Sequence, residues 1–176
     1  MAYFQTYLPQ LLRFEGGYVD NPYDPGGATN MGITLSTFEA HSQTLLGIAP
    51  TLTNLRALTA AEAGTLYKTL YWDPLHGDAI TLQYLADIVF DFYVNAGFHA
   101  VVLLQQLLGP PVCVDGRFGP DTLAAVLKAD QPELYARYRA GRIAYYRQLA
   151  QAHPVLQRFL AGWLARAHWF PAQAPG

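Results

Sequence analysis

The chain has 176 residues, 52% of them hydrophobic, and a formal net charge of −2. That length and apolar content suit one domain with a buried core, with room for a small appended lobe, and they exclude a disordered chain. The near-neutral total excludes whole-molecule steering onto nucleic acid, and the single cysteine, Cys113, excludes an internal disulfide or a cysteine-rich metal site.

The charge is uneven. Residues 1–88 hold three basic and eight acidic side chains, whereas residues 89–176 hold eight basic and five acidic. From Gln131 onward six arginines (Arg137, Arg139, Arg142, Arg147, Arg158, Arg166) face one acid, Glu133. Such a segment is either a basic face for an anionic partner or an ordinary solvated helix face. The histidines are scattered without metal-ligand spacing, so no metal or other cofactor is expected. The apolar stretch 86–108 is broken by Asp87, Asp91, Asn95 and His99, so no run reaches the roughly 18 residues of a membrane span. The first residues lack a basic region followed by a long apolar core. No secretory signal is read there, and synthesis in the cytoplasm is expected.

In chain order, Leu8, Leu11, Leu12 and Glu15 share one helical face. Pro9 suits only a first turn, which predicts a helix beginning near Tyr7, and Gly16-Gly17 stops it. Residues 18–34 are rich in Gly, Pro, Asn and Asp, with β-prone pieces at Tyr18-Val19 and at Met31 to Thr34, and predict a short hairpin or loop. Ser36 with Glu39, and Thr59 with Glu62, have the spacing of capping boxes. The second box opens a helix through Leu66, Tyr67, Leu70 and Tyr71 that ends near Asp73-Pro74. An apolar stripe from Leu82 to Phe92 runs to Asn95-Ala-Gly97. Further helices are expected over 100–108, from Pro120 through Leu127, over 132–152 and over 155–168, with a frayed tail from Pro171. The fold class is therefore mainly α, a helical bundle with a short β-hairpin or loop after the first helix.

Glu15 ends the first helix on its inward face. The negative end of the helix dipole and partial burial both favour a protonated carboxyl, which is what a general acid requires. The plain alternative is a surface glutamate beside a helix stop. Asp20, Asp24 and Thr29 follow on the glycine-rich segment and can converge with Glu15 on one cleft. Alternatively, the two aspartates are turn formers before Asn21-Pro22 and in Asp24-Pro-Gly-Gly.

The run Glu15-Gly-Gly-Tyr-Val-Asp20-Asn-Pro-Tyr-Asp24-Pro-Gly-Gly-Ala-Thr29-Asn-Met-Gly-Ile-Thr34 resembles the signature of glycoside hydrolase family 108. Members are lysozyme-like N-acetylmuramidases of phages, prophages and some bacterial secretion systems. The resemblance implies hydrolysis of the β-1,4 bond between N-acetylmuramic acid and N-acetylglucosamine, with Glu15 as the catalytic acid. The order Glu15, Asp24, Thr29 is also similar to the catalytic order of phage-type lysozymes, though the last gap is one residue short.

Downstream, Asp91-Phe-Tyr-Val-Asn95-Ala-Gly97 and Val114-Asp115-Gly-Arg-Phe-Gly-Pro-Asp-Thr122 resemble the predicted peptidoglycan-binding region paired with that family. The implied organisation is a catalytic region over 1–85 and a helical region over 86–176 completing the same fold. Asp115, Gly116 and Gly119 either shape a tight turn or contact glycan. Asp91 and Asn95, four residues apart on one helix face, either line the cleft or satisfy buried groups.

Tyr18, Asp20, Tyr93 and Asn95 are the candidate substrate contacts. Tyr23, Tyr71 and Trp72 are further aromatics near the motifs, on whose faces sugar rings pack. The expected partner is the peptidoglycan glycan strand, reached through a holin, cell lysis or a secretion machine, with an immunity protein as a further partner in the last case. The rival readings are a lytic transglycosylase of the same fold, a non-catalytic peptidoglycan-binding or secretion-associated module, and a membrane-active lysis factor.

Overall fold

The computed structural model describes residues 1–20 and 27–175. Among these it is mainly α, with one small antiparallel hairpin after the first helix. The chain divides into two compact units. The N-terminal unit is Phe4–Asp73, and the C-terminal unit joins Met1–Tyr3 to Pro74–Gly176.

The N-terminal unit begins with α1 (Phe4–Glu15), three residues ahead of the predicted start. Pro9 is therefore inside the helix rather than in its first turn, where it removes one backbone donor. Buried Phe4, Tyr7, Leu8 and Leu11 hold the helix in place despite this. The hairpin comprises β1 (Thr29–Asn30) and β2 (Ile33–Thr34), with Thr29 opposite Thr34 and Asn30 opposite Ile33. The partner of the Met31–Thr34 piece is thus Thr29–Asn30, while Val19 contributes one bridge to Thr29.

Thr34 ends the hairpin and caps α2 (Leu35–Leu46), accepting from the amide of Thr37. The cap expected at Ser36 is thereby displaced by two residues, because the hairpin delivers the chain to the helix at Thr34. A short α3 (Leu52–Arg56) follows, capped by Thr51, and then α4 (Ala60–Tyr67). The capping box of Thr59 and Glu62 is present in both directions. Beyond Tyr67 the helix widens into a π-helical turn over Lys68–Trp72. Trp72 is fully buried with its ring edge-on to Phe4 at 5.7 Å, so it offers no face to a sugar. At Gly64 a Cβ would meet Leu8 Cδ2 at 2.7 Å, so the end of the Leu8 side chain lies directly over this glycine where α1 and α4 meet.

The C-terminal unit contains α5 (Gln83–Ala96), α6 (Phe98–Leu108), α7 (Pro120–Lys128), α8 (Gln131–Ala152) and α9 (Gln157–Trp169). Gly97, at φ 59°, breaks α5 from α6. Pro120 opens α7, and Asp130 caps α8 by accepting from the amide of Glu133. The stripe of α5 buries Leu85, Ile88, Val89 and Phe92, and the Phe92 ring lies edge-on to Tyr138, Tyr145 and Tyr146 of α8. Tyr138 donates to the Ala100 carbonyl at 2.9 Å, tying α8 to α6. The start of the tail is anchored rather than frayed. Phe170 is buried, Arg139 donates to its carbonyl, and Tyr135 donates to that of Pro171, both at 2.7 Å.

The arginine-rich segment is mostly turned to internal use. Arg142 and Arg166 pair with Asp91, Arg137 donates to the Leu107 carbonyl, and Arg139 holds the tail. Four of the six arginines thus neutralise a buried acid or satisfy carbonyls, while Arg137, Arg147 and Arg158 are exposed.

Candidate active site

The site is built from the end of α1 outward. Gly16 takes φ +75°, which few residues with a Cβ adopt, and its amide bonds the Leu12 carbonyl at 3.1 Å, so α1 stops at Glu15. The chain then passes Tyr18 to Val19, whose amide and carbonyl exchange bonds with Thr29 at 2.8 Å each. Met31 and Gly32 form the two-residue turn of the hairpin, with φ +48° and +76°. Both positive values are those of a type I′ turn, the form whose twist matches the strands.

Three contacts fix this hairpin within the N-terminal unit. Buried Asn30 donates through Nδ2 to the carbonyls of Leu55 at 2.9 Å and Arg56 at 3.2 Å, fastening β1 to α3. Tyr67 at the end of α4 donates its hydroxyl proton to the Met31 carbonyl at 2.9 Å. The turn backbone itself lies against the half-buried Glu15. A Cβ built on Gly32 would stand 2.5 Å from Glu15 Oε2 and 2.9 Å from its Cδ, and would collide with the Tyr67 hydroxyl. Only glycine lets the turn approach the carboxyl so closely.

Of the other sequence candidates in this unit, Thr29 is half-buried on β1, with its backbone committed to Val19. Tyr18 and Asp20 come together: the Tyr18 hydroxyl donates to Asp20 Oδ2 at 2.9 Å. Arg56, which the sequence did not single out, completes that group. Its guanidinium lies 4.9 Å from the Tyr18 ring centre and 3.6 Å from Asp20, and Tyr18 followed by Asp20 favours its charged form. The group is exposed and polar, and can offer both a cation and an aromatic edge. Asp24 and Tyr23 lie outside the described residues.

Tyr93 and Asn95 belong to the C-terminal unit. Tyr93 is half-buried on α5, and Asn95 accepts from Tyr146 at 2.5 Å, which orients its amide. Asp91 is wholly buried between Arg142 and Arg166, so it is a structural counter-ion rather than a cleft residue. The loop at Asp115 also resolves. Gln105, buried on α6, accepts from the amides of Asp115 and Gly116 and donates to Asp115 Oδ1, the Arg117 carbonyl and Thr122 Oγ1, at 2.9–3.2 Å. The Asp-Gly-x-x-Gly-x-x-Thr pattern is therefore the shape of a turn wrapped around one glutamine.

Among the described residues no cluster of His, Cys, Asp or Glu could hold a metal, and no helix is long and apolar enough to cross a membrane.

Comparison with known proteins gives two family matches. The family described as Glycosyl hydrolase 108 matches residues 8–97, and the Predicted Peptidoglycan domain matches residues 99–168. The solved structure of Brucella abortus SagA is similar at 34% identity and a TM-score of 0.76, over 95% of this chain and 90% of that one. No curated protein matches the chain.

Proposed function

The chain belongs to the glycosyl hydrolase 108 family, and from that premise we propose that it is a muramidase that cleaves the β-1,4 bond between N-acetylmuramic acid and N-acetylglucosamine in peptidoglycan, with Glu15 as general acid. One observation carries the assignment to Glu15. Within the family-matched segment, it is the carboxyl at the end of α1 against which the glycine turn of the hairpin is built. A carboxyl held by rigid backbone meets the positioning demand of acid catalysis.

In the reaction, Glu15 gives its proton to the glycosidic oxygen as the bond from that oxygen to C1 of the muramic sugar breaks. Asp24, with Thr29, positions the attacking water or stabilises the developing oxocarbenium ion, the roles that the similarity to phage-type lysozymes implies. In the N-terminal unit Tyr18 and Asp20 are the wall contacts, and in the C-terminal unit Tyr93 and Asn95 are candidates on their own account. Hydrolysis of this kind needs two polar groups and water, without a metal or organic cofactor. The Predicted Peptidoglycan domain at 99–168 supports the wall as substrate. The enzyme is made in the cytoplasm and acts on the wall, as a phage endolysin or a secreted antibacterial effector. Its delivery partner is a holin or a secretion machine, with an immunity protein in the second setting.

The test is the rate of sacculus digestion by Glu15→Gln. A folded variant slowed by at least about a hundredfold, the scale of general acid catalysis, supports the assignment. A folded variant with wild-type rate removes Glu15 from the mechanism.

A further inference from the structure

We infer that Tyr67 is a positioning residue for the general acid, seating the Glu15 carboxyl by anchoring the Met31–Gly32 turn that lies on it. This rests on the reading of Glu15 as the acid. Tyr67 is 1% exposed. Its hydroxyl donates to the Met31 carbonyl at 2.9 Å, and hydroxyl and Glu15 Oε2 both stand against the face of Gly32 where a Cβ would be.

The turn it holds is short. It joins strands of two residues each, and Met31 takes a left-handed backbone that a residue with a Cβ rarely adopts. Asn30 secures the strand side of the hairpin to α3, and Tyr67 secures the turn. Without the phenolic hydroxyl, the backbone over Glu15 loses its fixed height, and the carboxyl loses the wall that sets its direction. A displacement of about 1 Å at a reacting group can cost a hundredfold in rate.

The mechanism makes a claim that simple loss of stability does not. A misplaced acid matters in proportion to how much protonation the leaving group needs. The experiment uses Tyr67→Phe in the full chain, which keeps the ring and removes only the hydroxyl. Soluble glycan strands serve as the demanding substrate, and the 2,4-dinitrophenyl β-glycoside of the N-acetylglucosaminyl-N-acetylmuramic acid disaccharide as the undemanding one. The expected result is a fall in kcat of at least about tenfold on glycan strands with KM nearly unchanged, and recovery of most of that loss on the dinitrophenyl glycoside. Gly32→Ala, which pushes a methyl group into the Glu15 carboxyl, is expected to show the same leaving-group dependence. A Tyr67→Phe protein with wild-type kcat on glycan strands overturns the inference. So does an equal loss on both substrates, which marks a purely structural role. Glu15→Ala measured alongside separates the two levels. If Glu15→Ala is active on glycan strands, the acid assignment falls. If it is inactive while Tyr67→Phe is unaffected, only the role of Tyr67 falls.

Discussion

Arg142 and Asp91 meet at 2.6 Å with both side chains wholly buried, and Arg166 of α9 closes on the same carboxylate at 2.8 Å. Asp91 thus joins α5 to α8 and α9 through one acid shared by two cations. Removing one partner of a buried pair leaves the remaining charge uncompensated, which typically costs about 3–5 kcal/mol. Asp91→Ala is therefore expected to lower the unfolding free energy by that amount in urea titration, because it strands two arginines. A loss under about 1 kcal/mol would mean that the network contributes little to the fold.

The loop at Asp115 depends on Gln105 in a different way. Its single amide satisfies two backbone donors and three acceptors that the loop brings together. Gln105→Leu keeps much of the volume but removes the shared partner of these groups, although Asp115 Oδ1 keeps the Arg117 amide at 2.9 Å, and each buried group left unpaired costs about 1–3 kcal/mol. Hydrogen exchange at the amides of Asp115 and Gly116 should rise well before α6 itself opens. Unchanged protection at those amides would show that the loop holds itself.

Asp87 predicts a pH dependence. Burial, partly offset by the Gln83 amide at 2.7 Å and reinforced by Asp91, pushes its carboxyl from 3.8 up to about 7. The folded state therefore holds a proton that the unfolded chain releases, so this group's contribution falls as pH rises from about 4 to about 7 and is flat above. The loss amounts to at most about 4 kcal/mol over that window. Asp87→Asn still accepts from Gln83 but does not ionise. Its thermal stability should match wild type near pH 4 and exceed it increasingly up to pH 7. A variant destabilised equally at every pH would contradict the assignment.

What the sequence disclosed and what it concealed follow from the range of the interactions. The Thr59–Glu62 box, Pro120 at the start of α7 and the Gly16 stop of α1 are local, set within a few residues, and they were legible. The five-residue α3 is too short for a period to emerge, and the cap at Thr34 was hidden because a hairpin, rather than the local pattern, sets where α2 begins. The place of Glu15 at the end of α1 could be read from the glycines that follow it. Its neighbours could not, since Gly32 and Tyr67 are distant in sequence and meet it only in the fold. The pairing of the arginines was hidden for the same reason: a charge count cannot register that Asp91 meets Arg142 and Arg166.

The most direct measurement of the central claim is mass spectrometry of the fragments released when purified sacculi are digested by the wild-type chain and by Glu15→Gln. A muramidase acting through Glu15 releases muropeptides ending in reducing N-acetylmuramic acid with the wild type, and at least about a hundredfold less with the variant. Anhydro-muramic ends would mean that the C6 hydroxyl rather than water attacks, making the chain a lytic transglycosylase. Reducing ends released equally by both proteins, or no fragments from the wild type, would contradict the account.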